Sequence, residues 1–144
     1  MNPITSFRGK NAFLSNFFPC PVPVGRFTAP TVEHAYQAMK TLDEQKVEWV
    51  LDAETPAVAK RRGKRIPIRP GWEAERLAVM EGLLRLKFAP SSELASMLLA
   101  TGDAELVEGN RWNDTYWGVC RGAGQNHLGK LLMEIRAELR EASR

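Results

Sequence analysis

The sequence is poor in the residues that build metal centres and disulfide frameworks. It has only two cysteines, Cys20 and Cys120, with no CxxC pair, so neither a disulfide scaffold nor a thiol-based zinc site is expected. It has only two histidines, His34 and His127, far apart and in no HExxH pattern, so no metal is expected. No cofactor is implied either. No GxSxG elbow supports a serine hydrolase. No apolar run approaches the ~18 residues of a membrane span, and the N-terminal MNPITSFRGK does not read as a signal peptide. The expected compartment is a reducing cytoplasm, with no membrane partner.

The 144 residues suit one domain, 1–144, with one core. A net charge of +3 permits a phosphate-bearing ligand without demanding nucleic acid. Residues 1–30 hold five of the nine prolines, interleaved with Phe7, Phe13, Phe17 and Phe18. That excludes a long helix and predicts a loop-rich flap with short strands near 4–7 and 26–28.

Helical signals dominate thereafter. Pro30 and Thr31 open a helix over TVEHAYQAMK, with Thr31 as N-cap. Val32, Ala35, Tyr36 and Met39 face the core, beside a polar stripe of Glu33, Gln37 and Lys40. Further helices are predicted over 44–53, over 57–62 with Thr55 as cap and Gly63 as a left-handed C-cap, and over 72–89. The next is capped by Ser91, and the last covers about 125–141. Short strands are expected at 106–108 and 116–119. The class is α+β, predominantly helical.

Three stretches can carry chemistry. Gly124 to Lys130 reads GxxxxGK, but the following position, where a P-loop needs Ser or Thr, is Leu131. What remains is either an anion cradle at a helix start or a plain turn, with Asn126 as cap and Gly129 allowing close packing. Lys60 to Arg65 is the densest basic patch. It either complements a helix C-terminus or binds phosphate through one or two of its members, and it is too small for a nucleic-acid platform. Glu108 to Gly118, EGNRWNDTYWG, concentrates aromatic and amide side chains. Such residues can stack on a ring and orient its polar edge; alternatively Asp114 makes an Asx turn and Trp117 is core.

Taken together and in order, these pieces resemble the NADAR superfamily, in its YbiA-like branch. The resemblance is carried by Phe7-Arg8-Gly9, Leu14-Ser15-Asn16-Phe17, Thr31 to Ala38 with Lys40, and Ala59-Lys60 with Gly63. It continues through Trp72, Lys87-Phe88, Leu99 to Gly102, Leu106 to Glu108, Asp114 with Trp117-Gly118, and Asn126 to Gly129. It implies an N-glycosidase that cleaves phosphoribosylamino-pyrimidine intermediates of riboflavin synthesis. A second implied activity is removal of ADP-ribose from modified guanine, the only way nucleic acid enters as a substrate. A third reading is a non-catalytic module binding NAD or ADP-ribose. By the family pattern Glu33 is the catalytic carboxylate, with Asp114 completing the site. Arg8, Gly9, Asn16, Phe17, Lys40, Trp112, Trp117, Gly118 and Asn126 form the implied substrate-binding set.

Residue chemistry is compatible with this. Loss of a ribosyl C–N bond builds positive charge on the sugar. An ionised carboxylate beside that carbon can stabilise the charge or deprotonate water. Glu33 is the discriminator, because a pure binder needs no such group. Asp114 can orient the ribose hydroxyls, orient the water or assist the leaving amine. Arg8, Lys40, Lys64 or the Gly124–Gly129 turn can hold the phosphate.

Overall fold

The computed structural model describes residues 1–143. The chain is α+β and helix-dominated, in two compact units: Asn16–Lys87, and residues 1–15 together with the chain from Phe88 onward. Among the described residues no helix is long and apolar enough to cross a membrane.

In the Asn16–Lys87 unit, a hairpin pairs β1 (Val22–Val24) antiparallel with β2 (Phe27–Ala29). It turns at Gly25, whose φ of +57° suits glycine. The strand expected at 26–28 therefore exists one residue later. Its partner was hidden by Pro21 and Pro23, which sequence patterns read as breakers. Four helices follow: α1 (Val32–Ala38), α2 (Glu44–Leu51), α3 (Pro56–Gly63) and α4 (Trp72–Lys87). Their starts follow the capping chemistry: Thr31, Asp43 and Thr55 each accept a first-turn N–H, and Pro56 occupies the first turn of α3.

Helix α1 is the centre of this unit, packed against α2, α3, α4 and β1. All seven of its residues are buried, which corrects the expected polar stripe: Glu33 and Gln37 lie inside, not on a solvated face. The physical reason is that a helix covered on several sides has no outward stripe for the 3.6-residue period to reveal. Gly63 is also corrected. It is the last residue of α3, and the C-cap, Lys64, is right-handed. Gly63 is small because a Cβ there would overlap the Gln37 side chain.

In the other unit, a 3-10 turn (Gly9–Leu14) precedes α5 (Glu93–Leu99) and α6 (His127–Ala142), which pack together. The strand expected at 4–7 reduces to one parallel bridge, Ile4 with Leu106. The strands expected at 106–108 and 116–119 become β3 (Gly109–Asn110) paired in parallel with β4 (Val119–Cys120). Ser92, not Ser91, caps α5; Ser91 instead adopts φ +68°. Phe88, Leu98, Leu106 and Leu132 fill the core of this unit.

Candidate active site

Thr31 fixes the start of α1. Its hydroxyl accepts the His34 N–H at 3.1 Å and meets the His34 Nδ1 at 2.8 Å. His34 Nε2 lies 2.9 Å from the Ala53 carbonyl, which can only accept, so Nε2 carries a hydrogen and donates. His34 is therefore a clamp between α1 and the end of α2, consistent with a hydrogen-bonding role and not with a metal ligand.

This clamp positions Glu33. Its backbone N–H donates to the Asn16 carbonyl at 3.1 Å, and its carboxylate accepts from Gln37 Nε2 at 2.6 Å. Glu33 is only 8% exposed, so this bond to a charged acceptor is shielded from water. Asn16 is buried beside it. Its Nδ2 reaches Met80 Sδ at 3.5 Å, while its Oδ1 is buried with no hydrogen-bond partner. A buried amide oxygen without a donor is unusual, and it is an acceptor that a sugar hydroxyl can satisfy. Phe17, next to it, is exposed.

The electrostatics of this unit are asymmetric. Burial lowers the Lys40 pKa from its ordinary value; Glu33 opposes that shift, and Lys64, Arg76 and Lys60 add to it. Several cations thus share one region with a single named carboxylate, a balance suited to a phosphate-bearing ligand. The basic patch splits accordingly: Lys60 and Lys64 act near Lys40, whereas Arg62 donates to the Trp49 carbonyl at 2.7 Å.

In the other unit, the loop from Glu108 to Asn126 is organised by amides. Buried Asn110 donates to Glu108 Oε2 at 3.1 Å and to the Asp114 carbonyl at 2.8 Å, and accepts from the Trp112 and Asp114 N–H groups. Asp114 Oδ1 accepts from the Tyr116 and Trp117 N–H groups at 3.2 and 2.9 Å. That is an Asx-type turn, so one of its carboxylate oxygens is committed to shaping the loop. Trp117 is half-buried, edge-on to Tyr116 at 4.8 Å and 6.4 Å from the His127 ring. Trp112 is 52% exposed. Gly118 is buried where a Cβ would overlap the Glu108 carboxylate.

The Gly124–Gly129 turn is not an anion cradle. The N–H groups of Gln125, Asn126, His127 and Leu128 donate to the carbonyls of Thr115, Gly118, Tyr116 and Trp117, so the donors that a phosphate would use are taken. Asn126 stands at the N-cap of α6, but with φ +54° and no side-chain cap bond. Its side chain instead accepts from the Glu108 N–H at 3.0 Å and donates to the Leu106 carbonyl at 2.9 Å. Gly129 leaves room for that same Leu106 carbonyl. Arg8 and Gly9 are exposed at the start of the 3-10 turn, where Gly9 has φ +57°.

Within their own units, then, Glu33 meets Asn16, and Asp114 meets Trp117. The contribution of Gln37 was missed. Its signal was its position at i+4 from Glu33, within the expected polar stripe. Lys87 was likewise seen only as part of a motif. It is 2% exposed, lies 5.7 Å from the Phe18 ring, and burial brings its pKa down to about 8. Among the described residues no group of three or more His, Cys, Asp or Glu could hold a metal ion.

The NADAR domain model matches residues 6–140. The chain is 45% identical to N-glycosidase YbiA of Escherichia coli over 128 residues, covering 87% of this chain and 79% of that protein. It is 42% identical to a riboflavin biosynthesis protein of Vibrio vulnificus, over 91% of this chain but only 36% of that protein. The NMR structure of E. coli YbiA superposes with a TM-score of 0.84 at 40% identity, covering 99% of this chain and 89% of that one. With the family match running through both units, this chain belongs to the NADAR family.

Proposed function

We propose that this chain hydrolyses the N-glycosidic bond of phosphoribosylamino-pyrimidine intermediates of riboflavin synthesis, releasing ribose 5-phosphate. It is an enzyme, a hydrolase of N-glycosyl bonds, as its curated relatives are named. The observation that carries the reading is the Glu33 carboxylate, buried at the start of α1 and oriented by Gln37 at 2.6 Å. Taking that charge from water is costly, and a carboxylate held facing the anomeric carbon offsets that cost by stabilising the charge that develops in cleavage.

In the proposed reaction the C1–N bond breaks with its electron pair leaving on nitrogen. Positive charge builds on the ribose, and Glu33 faces that charge or takes a proton from the attacking water. Water supplies hydroxyl to C1 and, in net terms, a proton to the departing amine. Asn16 Oδ1 accepts from a ribose hydroxyl, and Lys40 with Lys60 and Lys64 balances the phosphate. Trp117 and Gly118 enter the proposed substrate-binding set through the family resemblance. Asp114 holds the turn that presents Trp117, which supports a positioning role over acid–base work.

The test is a side-by-side assay of wild type and Glu33→Gln with the pyrimidine intermediate and with ADP-ribosylated guanine. The expected product is ribose 5-phosphate from the first substrate, with the variant slower by about 10²–10⁴-fold. Undiminished turnover in the variant removes Glu33 from the mechanism. Release of ADP-ribose alone assigns the second substrate instead.

A further inference from the structure

The unit built from residues 1–15 and the chain beyond Phe88 holds a cavity of about 410 Å³ with largely apolar walls, Ile4, Phe13, Met97, Ala100 and Ala104 among them. Lys10, Asn11 and Thr101 add polar groups to its lining. We infer that this cavity binds an apolar carboxylate, an acyl chain of medium length whose charged end meets Lys10. The inference goes beyond the glycosidase reading, and none of these residues belongs to the proposed substrate-binding set.

The chain builds the cavity from two walls. Met97, Ala100, Thr101 and Ala104 recur at three and four, along one face of α5 and the turn that follows it. The other wall is the N-terminal segment. Ile4 donates its N–H to the Glu105 carbonyl and accepts from the Val107 N–H, both at 2.8 Å, and Met1 Sδ accepts from the Asp103 N–H at 3.2 Å. These bonds fix the second wall in place, and the small side chains of Ala100 and Ala104 leave space in front of it. The volume falls at the lower end of small-ligand sites, ~300–1,000 Å³.

The charge around this space has one sign. Among the described residues no Asp or Glu lines it. Lys10 is exposed and makes no hydrogen bond or ion pair there. Behind the wall, Arg136 is only 6% exposed, and its guanidinium donates to the Thr101 hydroxyl at 2.8 Å. No carboxylate of the described residues stands within ion-pair distance of it, and the nearby Asp103 is taken by Arg140 at 3.0 Å. A buried cation held by a neutral hydroxyl is only part-compensated. With Lys10 it gives an apolar space a positive potential, which favours an apolar anion over a neutral ligand.

The walls also favour a flexible chain over a flat ring. Met1 and Met97 are unbranched and adapt to a variable contour. Phe13 is the one aromatic side chain among the described lining residues, so no pair of rings is present to sandwich a planar group.

The experiment follows the methionine methyl signals of the full chain by two-dimensional NMR during titration with hexanoate, octanoate and octan-1-ol, each kept below its aggregation limit. The expected result is saturable shifts at Met1 and Met97, with Met39, Met80 and Met133 unmoved. Octanoate should bind about tenfold tighter than hexanoate, since each buried methylene is worth about three- to fourfold. It should also bind at least threefold tighter than octan-1-ol at low salt, a gap that narrows as salt is added. Lys10→Gln should weaken octanoate about three- to fivefold and leave octan-1-ol unchanged. Ala100→Phe places a large side chain from an exposed position into the cavity, and should abolish binding of both while melting as wild type does. No saturable shift at Met1 and Met97, octan-1-ol as tight as octanoate, or full binding in Ala100→Phe would each overturn the assignment. So would shifts of Met1 and Met97 that depend on protein concentration without any probe, which would make this face a contact between copies. Binding is read without turnover, so the glycosidase reading and this one fail separately.

Discussion

Replacing Gly63 by alanine is the sharpest perturbation of the proposed catalytic carboxylate, because it acts at one remove. In a helix, Gly→Ala ordinarily stabilises by about 1 kcal/mol. Here an added Cβ would overlap Gln37 Oε1 and stand 2.7 Å from its Cδ and 3.0 Å from its Cβ. Gln37 is buried, so it cannot swing freely into solvent. Overpacking of this kind costs about 1–3 kcal/mol, and losing the 2.6 Å bond to Glu33 costs about 1.5–3 kcal/mol. Set against the helix gain, the net loss is about 1.5–5 kcal/mol. Released from Gln37, Glu33 loses its aim, and a single charged hydrogen bond of that strength corresponds to about 10–100-fold in kcat/KM. The assay pairs thermal melting by circular dichroism with kcat/KM measured well below the melting temperature. Gln37→Ala alone should reproduce the kinetic loss. The double variant Gly63→Ala/Gln37→Ala should regain stability relative to Gly63→Ala, since the overlap with Oε1 and Cδ is gone, yet stay slow, a non-additive cycle. A Gly63→Ala protein with wild-type kcat/KM and an equal or higher melting temperature would refute the chain from Gly63 through Gln37 to Glu33.

Two further outcomes are expected. Burial holds the folded-state pKa of Lys87 at about 8 against an ordinary 10.5. Below about pH 8 both states carry the proton and the burial cost is fully present. Between about 8 and 10.5 only the unfolded chain holds it, so this group's contribution to stability rises with pH, by on the order of 3 kcal/mol in all. Lys87→Met should therefore be more stable than wild type at pH 7, with the gap closing by pH 10; a gap independent of pH in melting curves would count against this account. Asn126→Ala removes the bonds to the Glu108 N–H and the Leu106 carbonyl and places alanine at φ +54°. It should cost about 3–5 kcal/mol, whereas Asn126→Gly should recover only the backbone share, about 1 kcal/mol, in denaturant titrations.

Much of the local structure was legible because it rests on local chemistry. Thr31, Thr55 and the Pro56 start each depend on the adjacent turn, and each stands where capping rules put it. The Glu81–Arg85 pair in α4, at 3.0 Å, is equally local, as side chains four apart on a helix are neighbours. The strands were less legible. Pairs of two and three residues carry too little alternation to mark their ends, and Gly109 pairs with Val119 through a contact that no nearby residue announces. The turn before α6 shows the limit in another form. Its GxxxxGK spacing suggested free N–H groups, but whether they are free depended on where the carbonyls of residues 115–118 lay.

The order and chemistry of the motif pieces were enough by themselves to point to the family, the helix-rich α+β class and Glu33 as the residue to watch. Tertiary structure alone decided what surrounds that residue. Glu33 and Gln37 read as a solvated stripe because the helical period reports only which residues share a face, not whether other helices cover it. Burial from several sides turned that pair into an aimed carboxylate, left Asn16 Oδ1 without a donor, and gathered Lys60 and Lys64 about Lys40. These are contacts between segments distant in sequence. Packing sets them, and no local propensity encodes them.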